Sequence, residues 1–114
     1  MKTIILDTNF LIYCVKYKID FFSEIERISD FHYKLCVLDK SIEELGRVKP
    51  KGLNLIMQFI TKLEILKSKE ELVDDELTRL SEENCIVATQ DKGLKDRLKN
   101  QVIVIRKKKF LELK

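Results

Sequence analysis

The sequence is poor in the two residues that most often interrupt regular structure. Its 114 residues include three glycines and one proline, which argues against long flexible linkers between separate units. It has no internal repeat and no low-complexity tract. A chain of this length has the usual size of one domain. We therefore expect a single domain that spans residues 1–114.

The cysteines are few and lack the spacing of a metal site. Cys14, Cys36 and Cys85 each lie inside an apolar run, and no CxxC or CxxH pair occurs. A zinc site is therefore not expected, and buried reduced thiols fit a cytoplasmic protein. No apolar run is long enough to cross a membrane, and Asp7 interrupts the apolar N-terminal stretch. We thus expect neither a signal peptide nor membrane association.

The chain also lacks a strong excess of one charge. Lysine and arginine number 22 and aspartate and glutamate 19, so the formal net charge is +3. This balance alone does not indicate a nucleic-acid partner. With 45% hydrophobic residues, the composition predicts a substantial apolar core beneath a heavily charged surface.

Short apolar runs alternate with amphipathic segments along the chain. Strands buried on both faces are predicted at 3–6, 34–39, 85–89 and 101–105, with a short final strand at 110–114. Helices are predicted at 8–18, 21–29, 39–48, 53–69, 74–84 and 91–100. N-cap candidates are Asp20, Asp91 and either Asp39 or Ser41. The alternation predicts an α/β fold with a mostly parallel sheet.

Acidic residues occur where predicted strands end or neighbouring helices begin. They are Asp7, Glu43, Glu44, Asp74, Asp75 and Asp91. The carboxyl ends of parallel strands share one edge of a sheet, so one acid from each place can meet there. Carboxylates that converge without matching bases repel one another, and a divalent cation relieves that repulsion. Oxygen-only ligands favour Mg²⁺ or Mn²⁺.

Each acid also has a purely structural explanation. Asp7 and Asp91 can be N-caps, and Asp74 and Asp75 can be first-turn acids that the helix dipole favours. Glu43 and Glu44 are adjacent on a helix and point in different directions, so one of them is a solvated charge. The combination of acids on these elements carries the metal-site prediction.

Four stretches, in this order, resemble the PIN-domain nucleases. They are ILDTN after the first strand, IEEL after the second, DDELTRLS, and IVATQDKGLKDRL. Order and rough spacing agree from residue 3 to about residue 105. The resemblance implies a three-layer α/β/α sandwich with a mostly parallel central sheet. It also implies an endoribonuclease that hydrolyses phosphodiester bonds with Mg²⁺ or Mn²⁺.

The same resemblance assigns roles to the acids. Asp7 would be the central metal ligand and Asp91 the fourth acid. Glu44 would be the second acid, because it precedes the leucine of the EL pair. The third falls on Asp74 or Asp75, and the D-x-x-L-x-x-L-S pattern favours Asp74. The catalytic set implied is Asp7, Glu44, Asp74 and Asp91, and Asp75 is the alternative metal ligand.

Other matched positions support or limit that assignment. Asn9 and Thr89 resemble the polar residues of the family that hydrogen-bond the acids. Gly93 stands where many members carry a further acid, so a fully liganded second metal site is not implied. His32, the only histidine, precedes a strand and is expected to be structural. The implied chemistry is hydrolysis by an activated water, which leaves a 5′-phosphate and a 3′-hydroxyl.

Basic residues are needed to hold RNA against a negatively charged site. Lys92 and Lys95 follow Asp91 on the same predicted helix, and Arg47 follows the EL pair. We predict that these three side chains bind substrate. The basic run at 106–109 is instead interpreted as a solvated stretch, because no aromatic-rich RNA-binding motif accompanies it.

The resemblance offers two biological roles. One is a toxin that pairs with an antitoxin, and the other is a ribosomal-RNA processing nuclease with a ribosome-assembly partner. A homodimer is expected, with Phe21, Phe22, Phe31 and Tyr33 as apolar residues available to an interface. The competing hypothesis is a catalytically inactive RNA-binding or scaffold protein of the same fold. A haloacid-dehalogenase-type phosphatase is disfavoured, because Asn9 replaces the second aspartate it requires.

Overall fold

A computed structural model describes residues 1–114 as six strands and six helices. The strands are β1 Lys2–Leu6, β2 Tyr33–Leu38, β3 Glu64–Leu66, β4 Cys85–Ala88, β5 Val102–Arg106 and β6 Phe110–Leu113. The helices are α1 Thr8–Lys16, α2 Phe21–Ile28, α3 Asp39–Val48, α4 Leu53–Ile60, α5 Val73–Ser81 and α6 Lys92–Arg97.

The six strands form one sheet in the order β3-β2-β1-β4-β5-β6. All neighbouring pairs are parallel except β5 and β6, which are antiparallel. The chain first builds outward from β1 to β2 and β3 and then returns to place β4 on the other side of β1. The two halves of the sheet therefore diverge between β1 and β4. A ligand crevice opens at the carboxyl ends of strands at such a switch point.

Helices cover both faces of the sheet because alternate strand residues point to opposite sides. Ile4 and Leu6 of β1 belong to the larger apolar cluster, which also contains buried residues of α1, α2, α3 and α4. Ile5 belongs to a smaller cluster with Leu77 of α5 and Leu94 of α6. This arrangement is the three-layer α/β/α sandwich with a mostly parallel sheet that the sequence predicted.

The predicted helix at 53–69 is wrong in its second half. Helix α4 ends at Ile60, and the chain then forms β3, whose Glu64 and Leu66 pair with Cys36 and Leu38 of β2. A three-residue strand is too short to show an alternating pattern. Its strand conformation comes from backbone hydrogen bonds to β2, which override the local helical periodicity.

The predicted helix caps are partly confirmed. The carboxylate of Asp20 accepts a hydrogen bond from Ser23 N at 3.3 Å, and that of Asp91 accepts one from Leu94 N at 3.1 Å. The cap predicted for α3 is wrong. Its N-cap residue is Leu38, and Asp39 lies inside the first turn, where its carboxylate accepts hydrogen bonds from Ser68.

The aromatic residues suggested for an interface are less exposed than predicted. Phe21 is only 2% exposed, stacks on Phe22 with centroids 4.4 Å apart, and meets Phe59 edge-on. Phe31 and Tyr33 are half-buried. Phe21 is therefore part of the core, because the helix α2 turns it towards α4.

The cysteines agree with the sequence analysis. Cys14 and Cys36 are buried free thiols, and Cys85 is a half-buried one. Burial raises the pKa of Cys14 to about 12 and that of Cys36 to about 11. Both thiols are thus protonated and poorly reactive at neutral pH. No helix has the length and apolar character needed to cross a membrane.

Candidate functional site

Asp7 lies at the carboxyl end of the central strand, where β1 passes directly into α1. Its backbone N–H donates to Ala88 O of β4 at 2.9 Å, which ties the residue to the neighbouring strand. Only 6% of the residue is exposed. Oδ1 accepts a hydrogen bond from Thr8 N at 2.8 Å, and Oδ2 accepts one from Thr89 Oγ1 at 2.7 Å. The carboxylate is therefore buried, fixed and hydrogen-bonded on both oxygens.

Thr89 and Asn9 link the ends of β1 and β4. The Thr89 hydroxyl also lies 3.3 Å from Asn9 Oδ1, but its single proton goes to the closer, charged Asp7 carboxylate. Asn9 Oδ1 accepts a hydrogen bond from Gln90 N at 3.1 Å, and Thr89 Oγ1 accepts one from Asp91 N at 3.1 Å. The two polar residues thus set the positions of the Asp7 side chain and the Asp91 backbone.

Asp91 is half-buried at the start of α6. Its Oδ1 accepts the hydrogen bond from Leu94 N, and its Oδ2 accepts none from the protein. The residue is thus an N-cap, as one interpretation of the sequence required. A cap of this kind uses one carboxylate oxygen and leaves the other available to a ligand.

The acids influence one another electrostatically. Burial raises the pKa of Asp7 to about 6, against the opposing hydrogen bonds of Thr89 and Thr8, and the charges of Asp74 and Glu44 raise it further. Burial and the charge of Asp91 also raise the pKa of Asp74. The fold thus brings one acid from each predicted place within electrostatic reach of another.

No lysine or arginine forms an ion pair with Asp7, Glu44, Asp74 or Asp91. Repulsion between these carboxylates is therefore offset by the chain only in part, through the charge of Arg97 acting on Asp74. A buried carboxylate without a paired base is costly, and a bound cation would remove that cost.

The structure separates the two alternative acids on α5. Asp75 forms an ion pair with Arg97 of α6 at 2.8 Å. Asp74 forms no ion pair, although the charge of Arg97 lowers its pKa. Its own charge raises the pKa of Asp7, and the charge of Asp91 raises the pKa of Asp74. Neighbouring positions on a helix point about 100° apart, so the two carboxylates face different neighbours.

The two adjacent glutamates of α3, Glu43 and Glu44, also differ in their surroundings. Glu44 is half-buried, and its charge is among those that raise the pKa of Asp7. Glu43 is exposed and is not among the charges that raise that pKa. The buried neighbour Leu45 turns this part of α3 towards the sheet.

The acids around Asp7 offer a divalent cation oxygen ligands only. No three histidine, cysteine or acidic side chains are close enough together to be ligands of one ion. A cage of four carboxylates is thus not present. Mg²⁺, however, commonly binds one or two carboxylates directly and fills its other positions with water and substrate phosphate. The all-oxygen set around Asp7 fits that mode, and the buried Thr8 Oγ1 beside it has no hydrogen-bond partner.

A cleft of about 460 Å³ lies beside the acids on the β2 side of the sheet. Glu44 and Asp74 line it, together with Arg47 and Lys40. Lys40 Nζ donates to Glu70 O at 2.8 Å and Glu71 O at 2.9 Å. Arg47 makes no ion pair and is exposed, so its guanidinium can bind a phosphate in the cleft.

The other predicted substrate contacts lie on α6. Lys92 is exposed and Lys95 is half-buried, and neither ammonium group forms an ion pair. Both follow Asp91 within one turn of the helix. His32 lies before β2, and its carbonyl accepts from Lys2 N at the beginning of β1. It is therefore at the edge opposite to Asp7.

Sequence reasoning missed the residues that anchor the loop leading into Asp74. Asp39 Oδ1 accepts hydrogen bonds from Ser68 N at 2.9 Å and Ser68 Oγ at 2.6 Å. Glu76 is fully buried, accepts from the backbone of the same loop, and pairs with Arg79 at 2.6 Å. In the sequence, the i, i+3 spacing of Glu76 and Arg79 could have indicated this ion pair. Together they hold the start of α5.

Comparison with known proteins places these features in a family. A family profile described as a PIN like domain matches residues 4–109. Ribonuclease VapC4 of Methanocaldococcus jannaschii is 35% identical, and the alignment covers 99% of this chain and 97% of that protein. The structure of the PIN domain endonuclease Utp24 superposes with a TM-score of 0.81 at 23% identity. That match covers 98% of this chain and 90% of the other.

Proposed function

Because the chain belongs to the PIN-like domain family, we propose that it is a metal-dependent endoribonuclease that hydrolyses phosphodiester bonds in RNA. The observation that carries the proposal is Asp7, which is buried at the carboxyl edge of the sheet beside other acids and has no cationic partner. A relative that aligns over nearly the whole chain is a ribonuclease, which supports RNA as the substrate.

The proposed catalytic set is Asp7, Glu44, Asp74 and Asp91, acting with Mg²⁺ or Mn²⁺. Asp7 and the free oxygen of Asp91 are the direct ligands we propose, and the other two act through water. Asp74 is preferred to Asp75, because Arg97 already neutralises Asp75. Asn9 and Thr89 hold the ligands in place through the hydrogen bonds described above.

When bound, the metal would supply an activated water and stabilise negative charge on the leaving oxygen. The protein's own contribution is positioning. Thr89 and Thr8 fix the orientation of the Asp7 carboxylate, and α6 fixes that of Asp91. Arg47, Lys92 and Lys95 are proposed to hold the phosphates of the RNA on either side of the acids. The products would carry a 5′-phosphate and a 3′-hydroxyl.

The direct test is RNA cleavage by the wild-type protein and Asp7→Asn with Mn²⁺, with Mg²⁺ and with EDTA, on a structured and a single-stranded RNA. Asp96→Asn is the matched control, because Asp96 is an exposed acid of α6. We expect metal-dependent cleavage by the wild-type and control proteins and none by Asp7→Asn. Equal cleavage by all three proteins, or cleavage in EDTA, would contradict the proposal.

We propose two biological roles for this activity, a toxin or a ribosomal-RNA processing nuclease. A toxin with an antitoxin partner predicts growth arrest on expression, which Asp7→Asn would abolish. A ribosomal-RNA processing nuclease predicts cleavage of a precursor RNA without such arrest.

We also propose a homodimer, and a single monomeric species at micromolar concentration in sedimentation would count against it. An inactive scaffold of the same fold would neither cut RNA nor bind Mn²⁺ in titration calorimetry.

A further inference from the structure

A second groove lies next to the acids, on the β5 side of the sheet. It has a volume of about 410 Å³, and its walls include Tyr13, Tyr17, Gln90, Lys107 and Lys108. Gln90 connects it to the acid site, because its backbone N–H donates to Asn9 Oδ1, beside Thr89 and Asp91. Its side-chain oxygen accepts from Ile105 N at 2.7 Å, which fixes this wall to β5. The groove therefore begins where the acid site ends.

Helix α1 and its C-cap residue Tyr17 carry a line of three residues away from the acids. Asn9, Tyr13 and Tyr17 are spaced four residues apart and share one helix face, so each step covers about 6 Å. The rings of Tyr13 and Tyr17 stack with centroids 5.6 Å apart and planes 16° apart. Both are half-buried. Two aligned aromatic rings beside a nuclease site have the geometry on which nucleic-acid bases stack.

The opposite wall is a basic turn between β5 and β6. Lys109 N donates to Arg106 O at 3.0 Å, and the two central residues have positive φ, 52° at Lys107 and 56° at Lys108. This is the conformation of a type I′ turn, for which Asn-Gly is the preferred pair. Two lysines are unfavourable there, because the left-handed conformation crowds a Cβ. Such strain is typical of positions kept for function.

The lysines around the groove are available to an anionic ligand. Lys108 Nζ lies 5.6 Å from the Tyr17 ring centroid, and Lys16 Nζ lies 5.7 Å from the same centroid. Lys16, Lys107 and Lys108 form no ion pair with an acid. Because β5 runs parallel to β4, the turn leaves the sheet at the same edge as Asp91. Lys107 and Lys108 are exposed, as predicted for a solvated stretch, and Lys108 also lies beside the Tyr17 ring.

We propose that this groove binds a single-stranded segment of RNA next to the cleaved bond. Bases stack on the Tyr13–Tyr17 pair, and the phosphates that join them bind Lys107 and Lys108. Single-stranded RNA fits better than a duplex, because only unpaired bases can turn towards aromatic rings. The assignment of RNA rests on the proposed function. The stacking and charge arguments rest on the groove itself.

The test is binding of a fluorescein-labelled single-stranded RNA of about eight nucleotides, a length within the usual range for such sites, in EDTA. The main variant is Lys107→Asn with Lys108→Gly, which removes both charges and introduces the residues that the turn prefers. We expect about tenfold weaker binding and a salt dependence lower by about 1.4, since each single-strand phosphate contact contributes about 0.7. Its melting temperature should equal or exceed that of the wild type, so that lost binding cannot be ascribed to unfolding.

A separate variant tests whether RNA bases stack on the tyrosine rings. Tyr17→Leu retains apolar packing but removes the ring, and we expect about tenfold weaker binding of single-stranded RNA and unchanged binding of the corresponding duplex. Tyr33→Leu is the matched control, because Tyr33 is also half-buried but begins β2 at the opposite edge of the sheet. It should bind RNA like the wild type.

Two results would overturn the groove proposal. One is wild-type binding by both the turn variant and Tyr17→Leu. The other is an equal loss for single-stranded and duplex RNA in Tyr17→Leu. Cleavage assays with Mn²⁺ separate this outcome from failure of the proposed function. If the variants both bind and cut RNA like the wild type, the groove is wrong and the nuclease stands. If the variants lose binding but the wild type never cuts RNA, the groove stands and the nuclease is wrong.

Discussion

Replacing Asp7 by asparagine should stabilise the metal-free protein although it abolishes cleavage. The residue is 6% exposed, and burial is the main reason why its pKa rises from 3.8 to about 6. The folded state therefore holds the proton more tightly than the unfolded chain does. This contribution to stability is complete below about pH 4 and is lost as the pH rises through 6. Asparagine keeps an oxygen for Thr8 N and places an amide near the Thr89 hydroxyl.

The magnitude follows from the difference between the two pKa values. A difference of about 2 pKa units corresponds to about 3 kcal/mol once the pH is well above 6, because each unit is worth about 1.4 kcal/mol. At pH 7.5, Asp7→Asn should exceed the wild type by about that free energy of unfolding. In a domain of this size, that is a rise in melting temperature on the order of 10 °C.

The assay is urea unfolding of both proteins in EDTA at pH 4, 5, 6 and 7.5, repeated at pH 7.5 with Mn²⁺. The stability difference should be near zero at pH 4 and reach its full value at pH 7.5. Mn²⁺ should stabilise the wild type, by about 2.7 kcal/mol at 100 times its dissociation constant, and leave Asp7→Asn unchanged. A difference that does not vary with pH, or a less stable Asp7→Asn at pH 7.5, would refute the reasoning.

Three further predictions concern other positions. Asp74→Asn should lower the cleavage rate by about 10–100-fold, as expected of an acid that acts on the metal through water, whereas Asp75→Asn should stay within about threefold; similar losses in both would contradict the assignment. Glu76→Gln should lower the free energy of unfolding in urea by about 2–4 kcal/mol, because it removes a buried acceptor from charged and backbone donors; a neutral result would show that the loop has other anchors. Gly52→Ala should lower the free energy of unfolding by about 1–2 kcal/mol in the same assay, since φ is +84° and the added Cβ would lie 2.8 Å from Val15 Cγ1. Combining it with Val15→Ala should recover only the part of this loss that is due to the clash, and the part due to the positive φ should remain.

The parts of the fold that could be predicted from sequence are those that local pattern encodes. The strands at β1, β2, β4 and β5 are continuous apolar runs. Asp20 caps α2, which follows α1, and Asp91 caps α6, which follows β4. The failures come from contacts distant in the chain. The strand β3 exists because β2 offers it hydrogen bonds, and Phe21 is buried because α4 packs against it.

The candidate site shows the same division. Asp7 was predicted because it directly follows β1, and Asp91 because it comes three residues after β4, since strand ends in a parallel sheet share an edge. The sequence pattern favoured Asp74 over Asp75, but the physical reason is the ion pair with Arg97, which lies 22 residues away from Asp75. The basic turn at 106–109 was set aside, because its aromatic neighbours on α1 lie about ninety positions earlier in the chain.

By itself, the sequence determined the alternation of strands and helices and the acids that end them, since hydrophobic period and capping are properties of neighbouring residues. Only the tertiary structure decided which carboxylate is buried, which is neutralised, and which lysines stand beside aromatic rings. The hydroxyl that holds Asp7 belongs to Thr89, 82 residues away. Burial and pairing of this kind depend on how the chain closes on itself, because they arise only when distant segments exclude water together.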